Sequence, residues 1–479
     1  MLPPSRHGIR RRGRCVAHPG ATAPDRTRRP RPGAGRPRRC GARQARRAAP
    51  RLPRPERHQP GSECGGVAPR THLKHHGETH MTFDGPKHER PGTATDAVHA
   101  GQPAPRPGEP VVNPIVRSST FHWSGPGDGI DLLYSRYGNN PNQRAVAGKI
   151  AALEGTEDAL ALASGMAAIS MTLLAGAGSG DHIVASRHLY GATHALLTDE
   201  LPRRDITTTF VDPHDASAWQ AALTPRTRVV LIELPTNPTL RVFPVGPARR
   251  AARSGGALLA ADMTFATPIN IRAAEHGVDA VIHSATKYLG GHSDLIAGVV
   301  AGSAALIARV AKMMKLYGGS IDPQAAWLLE RGIRTLPVRM ERHNRTALAL
   351  ARWFSGIEGV RQVIHPGLPA HPDHECAARL LNGYGGMVSI VLEGGGEAAD
   401  RFCSHLRLAA PAPSLGGVET LVSQPRHTSH VDLSSAERHA LGIPDGFVRI
   451  SVGLEDLEDL KADFSAAVAA ALPLATPLP

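Results

Sequence analysis

Between residues 158 and 302 seven short apolar runs alternate with helix-like stretches. The runs are ALALAS (159–164), HIVAS (182–186), TTTFVD (207–212), RVVLIEL (228–234), ALLAAD (257–262), AVIHS (280–284) and AGVVAG (297–302). Alternation of this kind restricts the fold to the α/β class, with a mainly parallel seven-stranded sheet between helices. Open sheets of that type gather ligands at the carboxyl ends of their strands. The polar residues that directly follow each run are therefore the first candidates for chemistry.

The flanks have a different character. The net charge of +13 sits in the first 80 residues, which hold 20 Lys+Arg against 4 Asp+Glu; the remaining 399 hold 35 against 38. Residues 1–80 are rich in Arg, Pro and Gly and lack aliphatic periodicity, so disorder is expected there. A nucleic-acid-binding tail and an organelle transit peptide are two readings of this segment. The abrupt change of composition near Met81 favours a third, a start-site artefact with Met81 as the first residue.

Residues 81–150 are expected to form an N-terminal arm. It contains a β-like run at 111–121, a loop at 132–143, and a helix from about 144, where Val146, Ile150 and Leu153 fall at helical spacing. The repeating α/β unit spans 151–335. A smaller C-terminal α+β domain over 336–479 is expected from a helical stretch at 338–354, strands at 385–395 and 447–453, and a last helix with Leu457, Leu460, Phe464 and Val468 on one stripe.

Cys15, Cys40 and Cys64 lie in the basic segment, and only Cys376 and Cys403 in the body. That is neither a disulfide framework nor a metal-ligand spacing, and it fits a reducing cytosol. No stretch approaches ~18 consecutive apolar residues, so no membrane span is expected.

The richest stretch chemically is HSATKYLGGH (283–292). Its Ser-x-Thr-Lys grouping suits a cofactor carrying an aldehyde and a phosphate: Lys287 for a Schiff base, Ser284 and Thr286 for phosphate oxygens. A surface lysine in a polar loop has the same local sequence. In ASGMAAIS (163–170), Gly165 and Met166 open a helix whose N-terminal amides suit an anion, though small residues there also serve plain packing. Asp262 ends a run and suits a protonated pyridine nitrogen, or caps a helix. Asn237 suits a ring oxygen, or belongs to an Asn-Pro turn. Tyr190 suits ring stacking and proton transfer, or core packing. Arg449, inside the apolar FVRIS run, needs an anionic partner: a substrate carboxylate or an internal ion pair.

Taken together, the chain resembles the Cys/Met-metabolism (trans-sulfuration) family of pyridoxal-phosphate (PLP) enzymes, in particular cystathionine γ-synthases and cystathionine γ-lyases. The resemblance runs from about 93 to 472. It rests on AVHAGQ (97–102), YSRYGNNPNQ (134–143), LASGMAA (162–168), LPTNPTLRV (234–242), DMTFATP (262–268), HSATKYLGGHSD (283–294), RGIRTL (331–336), SLGGVETLV (414–422) and RISVGLED (449–456), in the family's order. It implies the PLP-dependent transferase fold of type I and pyridoxal 5'-phosphate as cofactor. Lys287 would carry the cofactor and shuttle protons. Asp262 would pair with the ring nitrogen, Asn237 with the ring oxygen, and Tyr190 would stack on the ring. Gly165, Met166, Ser284 and Thr286 would hold the phosphate. Tyr134 and Arg136 would reach the phosphate of a neighbouring subunit, which implies a homotetramer built from dimers. Arg449 would grip the substrate α-carboxylate, and Ser414 would position Lys287.

Three positions depart from the family's usual residues. Met263 stands where Asn is frequent, with small consequence. Ala192 stands where methionine γ-lyases have Cys, and Pro413 where many bacterial relatives have Glu. The PGLPAHPDHE (366–375) and QPRHTSH (424–430) stretches look more like plant-type cystathionine γ-synthases. The expectation is a cytoplasmic cystathionine γ-synthase joining cysteine to an O-activated homoserine, with a C–S lyase as the alternative. A nucleic-acid-binding protein led by the basic tail is the rival of another class.

Overall fold

The computed structural model describes residues 91–125, 132–431 and 433–472. The basic segment 1–80 and the expected start at Met81 lie outside the described residues.

Seven strands form where the seven apolar runs stand: β1 (Asp158–Leu162), β2 (His182–Ser186), β3 (Thr207–Val211), β4 (Thr227–Glu233), β5 (Leu258–Asp262), β6 (Ala280–Ser284) and β7 (Gly298–Gly302). They make one sheet in the order β1-β7-β6-β5-β4-β2-β3. The pairs among β6, β5, β4, β2 and β3 are parallel, while β7 runs antiparallel to both β1 and β6.

Side chains of a strand alternate between faces, and the core divides accordingly. Val184, Val230, Ile232, Leu259, Ala261 and Val281 pack on one face with helices Pro141–Glu154 and Val245–Gly255. Ile183, Ala185, Val229, Leu231, Ala260 and Ile282 pack on the other with helices Gly165–Gly176 and Ala304–Tyr317. Both faces are thus covered over most of the sheet, which explains why its inner runs are largely apolar; the edge strand β3 keeps Thr207 and Thr209 exposed.

A second, smaller sheet domain follows. Strands β8 (Val360–Ile364), β9 (Met387–Leu392), β10 (Ala410–Pro411), β11 (Leu421–Ser423) and β12 (Phe447–Ser451) lie in the order β10-β11-β12-β9-β8. Leu350, Phe354, Phe402, Leu460 and Phe464 pack on it from helices Leu336–Phe354, Gly395–His405 and Leu457–Ala471. The stripe of the last helix is buried at Leu460, Phe464 and Val468.

The arm departs from expectation. The 111–121 run forms no strand; only Thr120 bridges to Tyr134. Its polar backbone is tied to side chains instead. Asn142 accepts from the Val116 amide and donates to the Pro114 carbonyl, and Asn140 donates to the Val116 carbonyl. The helix after it begins at Pro141, earlier than expected, because Asn140 and Gln143 close a capping box.

Among the described residues no helix is long and apolar enough to cross a membrane, and no group of three or more His, Cys, Asp or Glu is placed to hold a metal ion.

Candidate active site

The carboxyl ends of β1, β2, β4, β5 and β6 open on one cavity of about 550 Å³. Gly165 and Met166 follow β1, Tyr190 follows β2, Asn237 follows β4, Asp262 ends β5, and Ser284, Thr286 and Lys287 end or follow β6. All of these line the cavity, and Ser414 and Arg449 join them from the second sheet domain. Residues separated by up to 284 positions, Gly165 and Arg449, are therefore brought to one site by topology.

One end of the cavity suits a phosphate. Ser164 caps helix Gly165–Gly176 by accepting the Ala167 amide at 3.0 Å. The amides of Gly165 and Met166, in the first turn, have no partner within the helix. A Cβ on residue 165 would lie 2.7 Å from the Ser284 Cβ, so only glycine leaves that wall open. The Thr286 hydroxyl is occupied: it donates to the Ala297 carbonyl at 3.2 Å and accepts the Ala297 amide at 3.0 Å. It pins the loop that holds Lys287.

The Lys287 Nζ lies 2.7 Å from the Ser414 Oγ. Burial, and secondarily the Arg449 charge, pull the Lys287 amine down to about 8. The surface-lysine reading does not hold. Ser414 has φ of +90°, a strained conformation for a residue with a side chain. Arg449 clamps it, donating from Nη2 to the Ser414 carbonyl at 2.9 Å.

Arg449 also donates from Nη1 to the Asn237 Oδ1 at 3.0 Å, while its buried Nε has no partner. Burial lowers its pKa to about 10. No carboxylate pairs with it among the described residues, so the internal ion pair weighed from sequence is absent there. A buried guanidinium with an unused donor is prepared for an anion.

Asp262 accepts the amide and hydroxyl of Thr264 and faces the cavity; it caps no helix, since the next one, Thr267–Asn270, has Ala266 at its N-cap. Burial pushes it above the usual carboxylate range. Tyr190 is 41% exposed, towards the cavity, and is not a core tyrosine.

Sequence reasoning overlooked Glu233 and Thr264. Glu233 ends β4 beside Asp262 on β5 and lines the cavity. Thr264 donates to Asp262 and accepts the Ser284 amide at 2.8 Å, joining β5 to the lysine loop. A carboxylate closing an apolar run, and a threonine two residues after a strand-terminal aspartate, were the available signals.

Tyr134 and Arg136 do not line this cavity. Arg136 stands over the Tyr134 and Tyr137 rings, 5.6 and 5.2 Å from their centroids, and donates to the Lys315 carbonyl at 2.8 Å.

A cofactor with an aldehyde, a flat basic ring and a phosphate fits these groups: a lysine with lowered pKa, a carboxylate, an aromatic face, and a helix N-terminus opened by a glycine that tolerates no Cβ. This defines a pyridoxal-phosphate site of the kind built on the fold of type I. Residues 94–469 match the Cys/Met metabolism PLP-dependent enzyme family, and the chain belongs to that family. Its cofactor is pyridoxal 5'-phosphate. It is 39% identical over 384 residues to the chloroplastic cystathionine gamma-synthase 1 of Arabidopsis thaliana, covering 78% of this chain and 68% of that one. It is 40% identical over 338 residues to the O-succinylhomoserine sulfhydrylase of Pseudomonas aeruginosa, covering 71% and 84%. The crystal structure of cystathionine gamma-lyase from Lactobacillus plantarum complexed with L-serine superposes with a TM-score of 0.75 at 35% identity, covering 79% and 99%.

Proposed function

We propose that the chain is a cystathionine γ-synthase, replacing the γ-substituent of an O-activated homoserine with the sulfur of cysteine. The observation that carries a reaction on an amino acid is the cavity that gathers Lys287, Asp262, Ser414 and Arg449. The choice of γ-replacement draws on Pro413 at the cavity wall, on the plant-like QPRHTSH stretch, which contributes Thr428 and Ser429 to that wall, and on similarity to a plant synthase.

In this reading Gly165, Met166 and Ser284 hold the phosphate, Thr286 joins them by turning its hydroxyl proton from the Ala297 carbonyl to a phosphate oxygen, Tyr190 covers the ring, and Asn237 and Asp262 meet its oxygen and nitrogen. Pyridoxal phosphate supplies an aldehyde that condenses with amines and a protonated ring that takes up electron density from carbon. Arg449 binds the substrate α-carboxylate and so orients the Cα–H bond towards Lys287. Lys287, held by Ser414, would take the Cα proton, hand it on to the cofactor's aldehyde carbon, and, neutral again, take a proton from Cβ, so that the γ-substituent leaves with its bonding electrons. The cysteine sulfur adds at Cγ, its proton balances the departing γ-oxygen anion, and Lys287 returns protons to Cβ and Cα. The products are cystathionine and the acid of the activating group.

The site is read as a cofactor-binding domain over 151–335, completed by 336–479. The position of Tyr134 and Arg136 outside their own cavity supports a homotetramer in which they serve a neighbour. The cysteine usage supports a cytoplasmic enzyme.

The test supplies the full chain and pyridoxal phosphate with an O-acyl homoserine plus cysteine, or with cystathionine alone. Cystathionine accumulating in the first mixture supports the synthase. Cleavage of cystathionine to a keto acid, ammonia and a thiol as the dominant activity would make it a lyase.

A further inference from the structure

Glu233 is a buried carboxylate that the mechanism above does not use. It is 5% exposed, and no lysine, arginine or histidine pairs with it among the described residues. It stands in register with Asp262 on the neighbouring parallel strand, so two acids end adjacent strands at the same edge. Two such groups without a cation are expensive to keep buried.

Its partners show what the cost maintains. Oε2 accepts the Tyr190 amide at 2.6 Å, and Oε1 accepts the Asn237 amide at 3.0 Å. Tyr190 and Asn237 come from loops after two different strands, and both side chains face the cavity. One carboxylate thus ties together the backbones that carry the ring-facing tyrosine and the ring-facing asparagine. Both oxygens act as acceptors, an arrangement a carboxylate satisfies and an amide does not. Burial, and secondarily the nearby Asp262, push the Glu233 pKa upwards, and the two amide bonds act in the opposite direction.

We propose that Glu233 is a positioning residue for the cofactor: it fixes Tyr190 and Asn237 through their backbone amides and adds a second carboxylate to the edge where Asp262 meets the ring nitrogen. The inference rests on the cofactor reading of the cavity and not on which sulfur substrate is used.

The experiment compares wild type, Glu233→Gln and Glu233→Asp for cofactor affinity, visible circular dichroism of the bound cofactor, and thermal stability. Gln keeps the size but turns an NH2 towards one of the two amides. Cofactor binding should weaken about 10- to 100-fold, with an altered dichroic band. Asp keeps the charge and should fall between Gln and wild type. A cycle with Asn237→Ala adds a readout that general destabilisation does not move. The two effects on cofactor affinity should be less than additive, because Glu233 acts partly through Asn237. Wild-type affinity and dichroism in Glu233→Gln, or fully additive effects in the cycle, would overturn the proposal. If Glu233→Gln fails to fold, Glu233→Asp carries the same test: unchanged dichroism and additivity with Asn237→Ala refute it. A chain that binds the cofactor as proposed yet makes no cystathionine contradicts the reaction assignment and leaves this inference standing.

Discussion

The reactivity of Lys287 towards an aldehyde follows from its surroundings. An ordinary lysine amine titrates at 10.5; burial, helped by Arg449, lowers this one to about 8. Only the neutral amine attacks a carbonyl. At about pH 7 roughly one Lys287 in ten is then neutral, against about one in three thousand for an exposed lysine, a gain of roughly 300-fold. Cofactor-free protein mixed with excess pyridoxal phosphate should turn yellow at a rate that climbs about tenfold from roughly pH 7 to pH 9 and then levels off. Stopped-flow absorbance across that range measures it. Arg449→Met removes a positive neighbour and should move the levelling point to higher pH, while leaving the larger burial effect in place. A rate that keeps rising tenfold per pH unit past about pH 10, as for a free lysine, would refute the argument.

Stability gives a second view of the same amine. Between about pH 8 and 10.5 the unfolded chain holds a proton on Lys287 that the folded cofactor-free chain does not, so folding gains stability as pH rises through that window. The melting-temperature difference between wild type and Lys287→Ala should therefore shift in favour of wild type over it. Gly165→Ala places a Cβ against Ser284 and should weaken cofactor binding at least about tenfold, read by absorbance titration, with a small change in melting temperature. Arg449→Lys loses the planar fork and should raise KM for the amino-acid substrate about 10- to 100-fold while the bound cofactor stays yellow. Ser414→Ala removes the 2.7 Å partner of Lys287 and should lower kcat more than it raises KM, measured by steady-state kinetics.

The main sheet was legible because its strands are buried on both faces. Runs such as RVVLIEL and AVIHS carry that burial as unbroken apolar sequence, and the chemistry sits where each run stops. Lys287, Asp262 and Ser284 were visible for that reason. Strand direction was less so. β7 is antiparallel, and the clue was the absence of a helix between β6 and β7, where a parallel crossover would need one. The 111–121 run misled because Val111, Val112 and Ile115 look like strand residues, yet they are 92, 48 and 43% exposed, and the backbone of Pro114 and Val116 beside them is bonded to Asn140 and Asn142. Those partners lie some 25 positions away and leave no local mark. Glu233 was missed because an acid after an apolar run usually marks the strand's exit to water. Here that exit is the cavity itself.

The account turns on Lys287 carrying the cofactor. Borohydride reduction of the yellow protein, followed by proteolysis and mass spectrometry, locates the bond directly. The account predicts a phosphopyridoxyl group on Lys287 and its disappearance, with the yellow colour, in Lys287→Ala. Label on another lysine in the wild-type chain, or a yellow Lys287→Ala protein with full activity, would contradict it.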